Sequence, residues 1–83
     1  MSTLRELSTA DEIREEVSRL IHEEREIKAD QAKIIVPVPI LAGPDSDGCN
    51  WIMFTFRGDA VGHQNAIRAA VVDVKRRWNL REE

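Results

Sequence analysis

The sequence has one cysteine, Cys49, only four glycines, and no internal repeat. A lone thiol cannot close an internal disulfide, so no covalent framework holds the fold and a reducing, cytoplasmic setting is expected. No apolar run approaches the ~20 residues that span a bilayer. The opening stretch MSTLRELSTADE carries charges where a signal peptide needs its apolar centre. No partnership with a membrane is expected. Phosphate-loop, dinucleotide, zinc-protease and nucleophile-elbow patterns are also missing, and nothing in the sequence asks for a cofactor or a metal.

What remains is globular in composition. The 83 residues are 42% hydrophobic and 33% charged, which fits one small domain over 1–83 with a core of only marginal size. Flexible ends are expected at 1–8 and 81–83. The formal net charge of −3 argues against a dedicated binder of nucleic acid, since those are usually basic. The sum conceals an asymmetry, because residues 1–32 hold five basic and nine acidic side chains, whereas 57–81 hold six basic and two acidic.

Periodicity predicts the order helix, strand, strand, helix. Thr9 and Glu12 have the spacing of a capping box. Behind it Ile13, Val17, Leu20, Ile21 and Ile27 recur at helical intervals, so the first helix is expected from Ala10 to Lys28. Leu4 and Leu7 suggest a short preceding turn. KIIVPVPIL (Lys33–Leu41, the first strand) and NWIMFTFR (Asn50–Arg57, the second) are β-branched and aromatic. The intervening AGPDSDGC is turn chemistry, so the two should form an antiparallel hairpin. Asp59 is placed to cap a second helix from Ala60 to Leu80, with Ile67, Ala70, Val71, Val74 and Trp78 inward.

Two prolines in the best strand point to an edge. Alternate residues direct their backbone groups to the same lateral side, so Pro37 and Pro39 spoil one side and leave Val36, Val38 and Ile40 to pair on the other. The second strand has no such protection and is apolar on both faces, which suits a central position. With two strands per chain, a second copy is the economical neighbour. The expected fold is a two-layer α+β helix-strand-strand-helix unit, its hairpin completed to a four-stranded sheet in a homodimer. Trp51, Ile52, Met53, Phe54, Thr55 and Phe56 form the expected interface. The phenylalanines are expected to face the helices, leaving Trp51 and Met53 as an outward patch.

Residues that could carry chemistry are few. His63 falls on the inner face of the second helix and could meet Glu24 as an imidazole–carboxylate pair, although rim positions of this kind are usually wet and structural. His22 is expected on the solvent side of the first helix. DSDG (Asp45–Gly48) resembles the start of a calcium loop, but lacks the preceding ligand and the terminal Glu and reads as a turn. Cys49 has no base beside it in sequence. GDAVG (Gly58–Gly62) could offer amides to an anion, but Asp59 would compete for them.

The strongest functional signal is the basic C-terminal end: Arg68, Lys75, Arg76, Arg77 and Arg81 around Trp78. The helix dipole alone favours cations there. The expected function is a cytoplasmic protein-interaction or assembly module without catalytic activity, whose partners are its own copy and another protein. The alternative is a small nucleic-acid binder using Arg68, Lys75 and Arg76 on phosphate, disfavoured by the net charge and by strands without interleaved basic residues. Replacing Pro37 and Pro39 together by Thr should restore donors on the outward edge and raise self-association, read as an increased mass by light scattering at matched concentration.

Overall fold

The computed structural model describes residues 6–44, 46, 48–53 and 55–81. Phe54, Asp45, Asp47 and Leu4 lie outside them, and with them one residue of the expected interface and most of the DSDG turn. The described residues form an α+β fold. Its elements are β1 (Glu6–Ser8), α1 (Ala10–Glu23), α2 (Arg25–Asp30), β2 (Ile34–Ile35), β3 (Ile40–Leu41), β4 (Trp51–Ile52), β5 (Arg57–Gly58), α3 (Gln64–Arg77) and β6 (Trp78–Leu80).

The capping box forms as the sequence predicts. Thr9 Oγ1 accepts from the Glu12 amide (3.1 Å), and Glu12 Oε1 accepts from the Thr9 amide (2.9 Å). These bonds, the backbone amide's first, hold the Glu12 carboxyl below its ordinary range. Ile13, Val17 and Ile21, four residues apart, are fully buried. The helix does not run unbroken to Lys28. Glu24 is extended (φ −62°, ψ 132°) and restarts the chain as α2, which seats Ile27 in the core. Gln31 then adopts a left-handed conformation (φ 52°), with Gln31 N–H on Lys28 C=O and Ala32 N–H on Ile27 C=O. That is a Schellman ending built without glycine, so no local signal carries the helix past the expected Lys28 to Asp30.

The hairpin is real but interrupted. β2 pairs with β5 (Ile34 with Gly58, Ile35 with Arg57) and β3 with β4 (Ile40 with Ile52, Leu41 with Trp51), both antiparallel and in one continuous register. They are the two ends of a single ribbon. At its base the Asp59 amide donates to Lys33 C=O, and toward its tip the Ala42 amide donates to Asn50 C=O, each at 2.8 Å. In a regular antiparallel ladder bonded pairs recur at every second residue. Positions 33 and 42 are an odd number apart, so the ladder changes phase between them.

Burial records the same change. Ile34 and Val36 point inward near the base, but Pro39 does so further along; Cys49 and Trp51 are buried near the tip, but Phe56 is the inward residue toward the base. Thr55, at φ 70°, lies in the stretch where the second strand switches. The expectation that Trp51 and Met53 form an outward patch is therefore corrected. Trp51 is fully buried and Met53 half-buried against the core, whereas Ile52 is exposed. Phe56 still packs inward because it lies beyond the switch. The outward apolar set is Ile35, Val38, Ile40 and Ile52, not Trp51 and Met53.

Gly58 closes the base of the ribbon at φ 76°, where a Cβ would stand 2.5 Å from Lys33 C=O. Asp59 does not cap the second helix. Its Oδ2 accepts from the Lys33 amide (2.8 Å), the chain turns through Ala60–Gly62, and α3 starts only at Gln64 with His63 as cap residue. Ile67, Ala70 and Val74 are buried along α3, with Val71 packed against them.

α3 also ends early, at Arg77. Trp78–Leu80 form β6, which pairs in parallel with β1 (Glu6 with Trp78, Leu7 with Asn79, Ser8 with Leu80). On that side the Arg81 amide donates to Ser8 C=O (2.8 Å). Trp78 and Leu80 turn their backbone groups the other way, onto the second strand of the ribbon. Asn50 Oδ1 accepts from the Leu80 amide (2.7 Å) and Asn50 Nδ2 donates to Leu80 C=O (3.0 Å); Trp51 Nε1 donates to Trp78 C=O (3.0 Å). The chain thus supplies a neighbour to the start of its own second strand, through side chains rather than a backbone ladder. Asn50→Leu leaves both Leu80 groups without partners in a buried position. It should cost about 2–4 kcal/mol in urea unfolding and lower the exchange protection of the Leu80 amide.

Candidate functional site

β6 covers the second strand only at Asn50 and Trp51. Beyond them Met53, Thr55 and Phe56 form one wall of an open groove of about 470 Å³, and α3 forms the other through Ile67, Val71 and Val72, with Ala60 and Val61 at one end. Thr55, Gln64, Arg68 and Lys75 supply the polar part of the lining, and among the described residues no acidic one joins them. Val61 is 88% exposed and Val72 39% exposed.

The groove settles where the expected site residues stand. Of the six in the second strand, Met53, Thr55 and Phe56 line it, Trp51 lies beneath in the core, Ile52 faces outward, and Phe54 is outside the described residues. Of the three expected cations, Arg68 and Lys75 reach the groove, while Arg76 is exposed and absent from its lining. Lys75 does not simply point away from the core: its stem is half-buried and its Nζ lies 5.6 Å from the centre of the Trp51 ring.

Arg77 belongs to the helix packing. It reaches Glu16 on α1 (3.0 Å) and Asp73 one turn back (3.1 Å), with its guanidinium 5.3 Å from the Trp78 ring centre. Glu16 also takes Arg19 (2.8 Å), and Arg19 takes Glu23 (2.9 Å). The Arg19 hydrogen bond, seconded by Arg77, lowers the Glu16 carboxyl to about 2 against the opposing effect of burial.

The histidines are placed differently from expectation. His63 meets Asp30 at the end of α2, Nε2 to Oδ2 at 3.4 Å, and not Glu24, which is exposed where α1 ends. Its side chain is 10% exposed and its Nδ1 is buried with no partner in the structure. His22 is not on the solvent side. It is half-buried, and its ring bridges Ser18 and the Ile34 amide. Cys49 is buried, with Sγ directed to Trp51 C=O (3.6 Å). Among the described residues no three His, Cys, Asp or Glu side chains gather as metal ligands, and no helix is long and apolar enough to cross a membrane.

The groove was hidden from sequence reading because its far wall depends on where α3 starts and how it lies along the ribbon. Val61 and Val72, falling outside the inner stripe of the helix, were its only local signs. Comparison with protein-family models, with curated proteins and with solved structures finds no match.

Glu16 gives the site region a pH signature. Its folded pKa lies below the ordinary carboxyl value of 4.5, so its contribution is present above about pH 4.5 and is lost as pH falls toward about 2. Arg19 is half exposed, which screens the pair. Glu16→Gln should destabilise by on the order of 1–2 kcal/mol at pH 6 and by much less near pH 2, compared with the unsubstituted protein in denaturant titrations at both pH values.

Proposed function

We propose that the protein is a homodimerising interaction module without catalytic activity, joined through the stretch of the second strand that its own β6 leaves uncovered. The observation that carries this reading is the groove beside Met53, Thr55 and Phe56. It sets the ribbon stretch between β4 and β5 beside an apolar helix face, and an added segment could use the first for its backbone and the second for its side chains. The first strand is less suited to that role, since Pro39 gives its outer edge no donor. Ile40 and Ala42 direct their groups to the second strand, so Pro39, one residue off, faces away from it.

A second copy fits because an edge paired with itself about a two-fold axis closes at two chains and offers no further edge. The largely exposed Val61 and the partly exposed Val72 then gain apolar neighbours. The arrangement of the cations favours a protein over nucleic acid. Arg68 and Lys75 stand at an apolar groove, Arg76 lies apart from it, and Arg77 is engaged with Glu16 and Asp73, so the basic end of α3 does not present one continuous phosphate-binding row.

Light scattering in the micromolar range should give twice the 9.5 kDa chain mass. Val72→Glu sets a charge in the groove wall while leaving the buried stripe of α3 intact, and should weaken dimerisation at least tenfold with an unchanged circular dichroism spectrum. A monomeric unsubstituted protein at tens of micromolar, or a salt-sensitive mobility shift of nucleic acid lost on reversing Arg68, Lys75 and Arg76, overturns the proposal.

A further inference from the structure

The two nitrogens of His22 are held in opposite roles. Nδ1 stands 2.7 Å from Ser18 C=O, with Ser18 Oγ at 3.3 Å, and Nε2 stands 3.1 Å from the Ile34 amide nitrogen. A carbonyl only accepts, so Nδ1 carries the proton. A backbone amide only donates, so Nε2 is bare. The pair of bonds specifies one neutral tautomer, and it ties α1 to β2.

The Ile34 amide is a donor of the outer edge. Lys33 bonds across the ribbon to Asp59 through its carbonyl, and neighbouring residues of a strand point to opposite sides, so Ile34 points away from the second strand. Two devices therefore close the outer edge of the ribbon: Pro39 has no N–H to offer, and the N–H of Ile34 is occupied by an imidazole. Among the described residues the pocket beside that ring is lined by the charged Arg14, Glu15 and Arg19, all on α1, and by Ile34, Ile35 and Val36 on the facing strand, which bring no charge. Arg14 pairs with Asp11 (3.8 Å), Arg19 with Glu16 and Glu23, and at the ribbon base the Asp59 carboxylate is held by the Lys33 amide.

We propose that His22 is a proton-operated clasp on this edge. An imidazolium donates from both nitrogens and has no acceptor, so protonation of Nε2 releases the Ile34 amide and separates β2 from α1 at that point. The edge is closed in the neutral form and presents a free donor in the protonated form. Histidine is the side chain that ordinarily makes this change near neutral pH. The clasp acts on the opposite edge from the proposed dimer contact and does not rest on it.

Nitrogen-15 NMR of the imidazole, with amide exchange of Ile34 corrected for intrinsic rates, tests the inference on the unmodified protein. The expected result is the Nδ1-protonated tautomer at neutral pH, and an Ile34 protection factor that falls about three- to tenfold as the ring protonates, while Ala70 in α3 holds its protection. His22→Phe should show the low Ile34 protection at every pH without the step. His63→Asn, leaving His22 in place, should keep the step and so assigns it to the right ring. An Nε2-protonated tautomer at neutral pH, or Ile34 protection that does not change through the titration of His22, overturns the proposal whatever the variants do.

Discussion

The fold turns on a side-chain amide that behaves as a piece of backbone. Asn50 offers an acceptor and a donor in one plane, and Leu80 presents the complementary amide and carbonyl at 2.7 and 3.0 Å. Through that contact the chain after α3 becomes a strand, and it has its position fixed against the ribbon. β1 is then registered on the far side of β6, residue for residue, and α1 begins two residues after β1 ends. The indole of Trp51 adds the same kind of bond to Trp78 C=O while its ring fills the centre of the core. Both edges of a three-residue strand are satisfied, one by backbone and one by side chains. A short strand in that position needs both, because three residues alone fix too few bonds to offset their ordering entropy.

A second constraint is the phase change in the ribbon. Ile34 must be inward at the base and Trp51 inward toward the tip, yet a regular ladder of this register would put one of them outside. The left-handed Thr55 resolves the conflict at a cost in backbone energy. The two prolines sit in and beside the same break, where a missing donor does least harm. This connects features that look separate in the sequence. Prolines two residues apart and a second strand apolar on both faces are consequences of one ribbon that exchanges its buried face midway.

Local signals were read correctly where the physics is local. The capping box at Thr9 and Glu12, the stripe Ile13, Val17 and Ile21, the turn-rich break between the strands, and the stripe Ile67, Ala70 and Val74 all depend on residues within a few positions of one another. The errors share one cause. Trp78–Leu80 continue a helical pattern well and leave it only because Asn50, thirty residues earlier, and β1, seventy earlier, take their backbone groups. His22 reads as a solvent-side residue until β2 brings the Ile34 amide to it. Asp59 has the form of a helix cap, but the Lys33 amide claims its carboxylate. In each case a distant backbone group outcompetes the local preference, and no short window contains it. The groove was illegible for the same reason, since its walls come from the ribbon and from α3.

The charge asymmetry of the sequence also has a different meaning once folded. Its acidic and basic halves are α1 and α3, which pack on each other, and Glu16 with Arg77 links them directly at 3.0 Å. At least one cation of the basic end is thus spent inside the chain. Among the described residues the fold also leaves apolar side chains outward: Val61 and Val72 at the groove, and Ile35, Val38, Ile40 and Ile52 on the open face of the ribbon. Among the described residues a partner drawn by charge would find Arg68 and Lys75 at the groove rim, and a surface ion pair contributes little. A partner that removes apolar area from water gains about 25 cal/mol for each Å² covered. The proposal of a protein partner, rather than of one held by phosphate charge, rests on that apolar area.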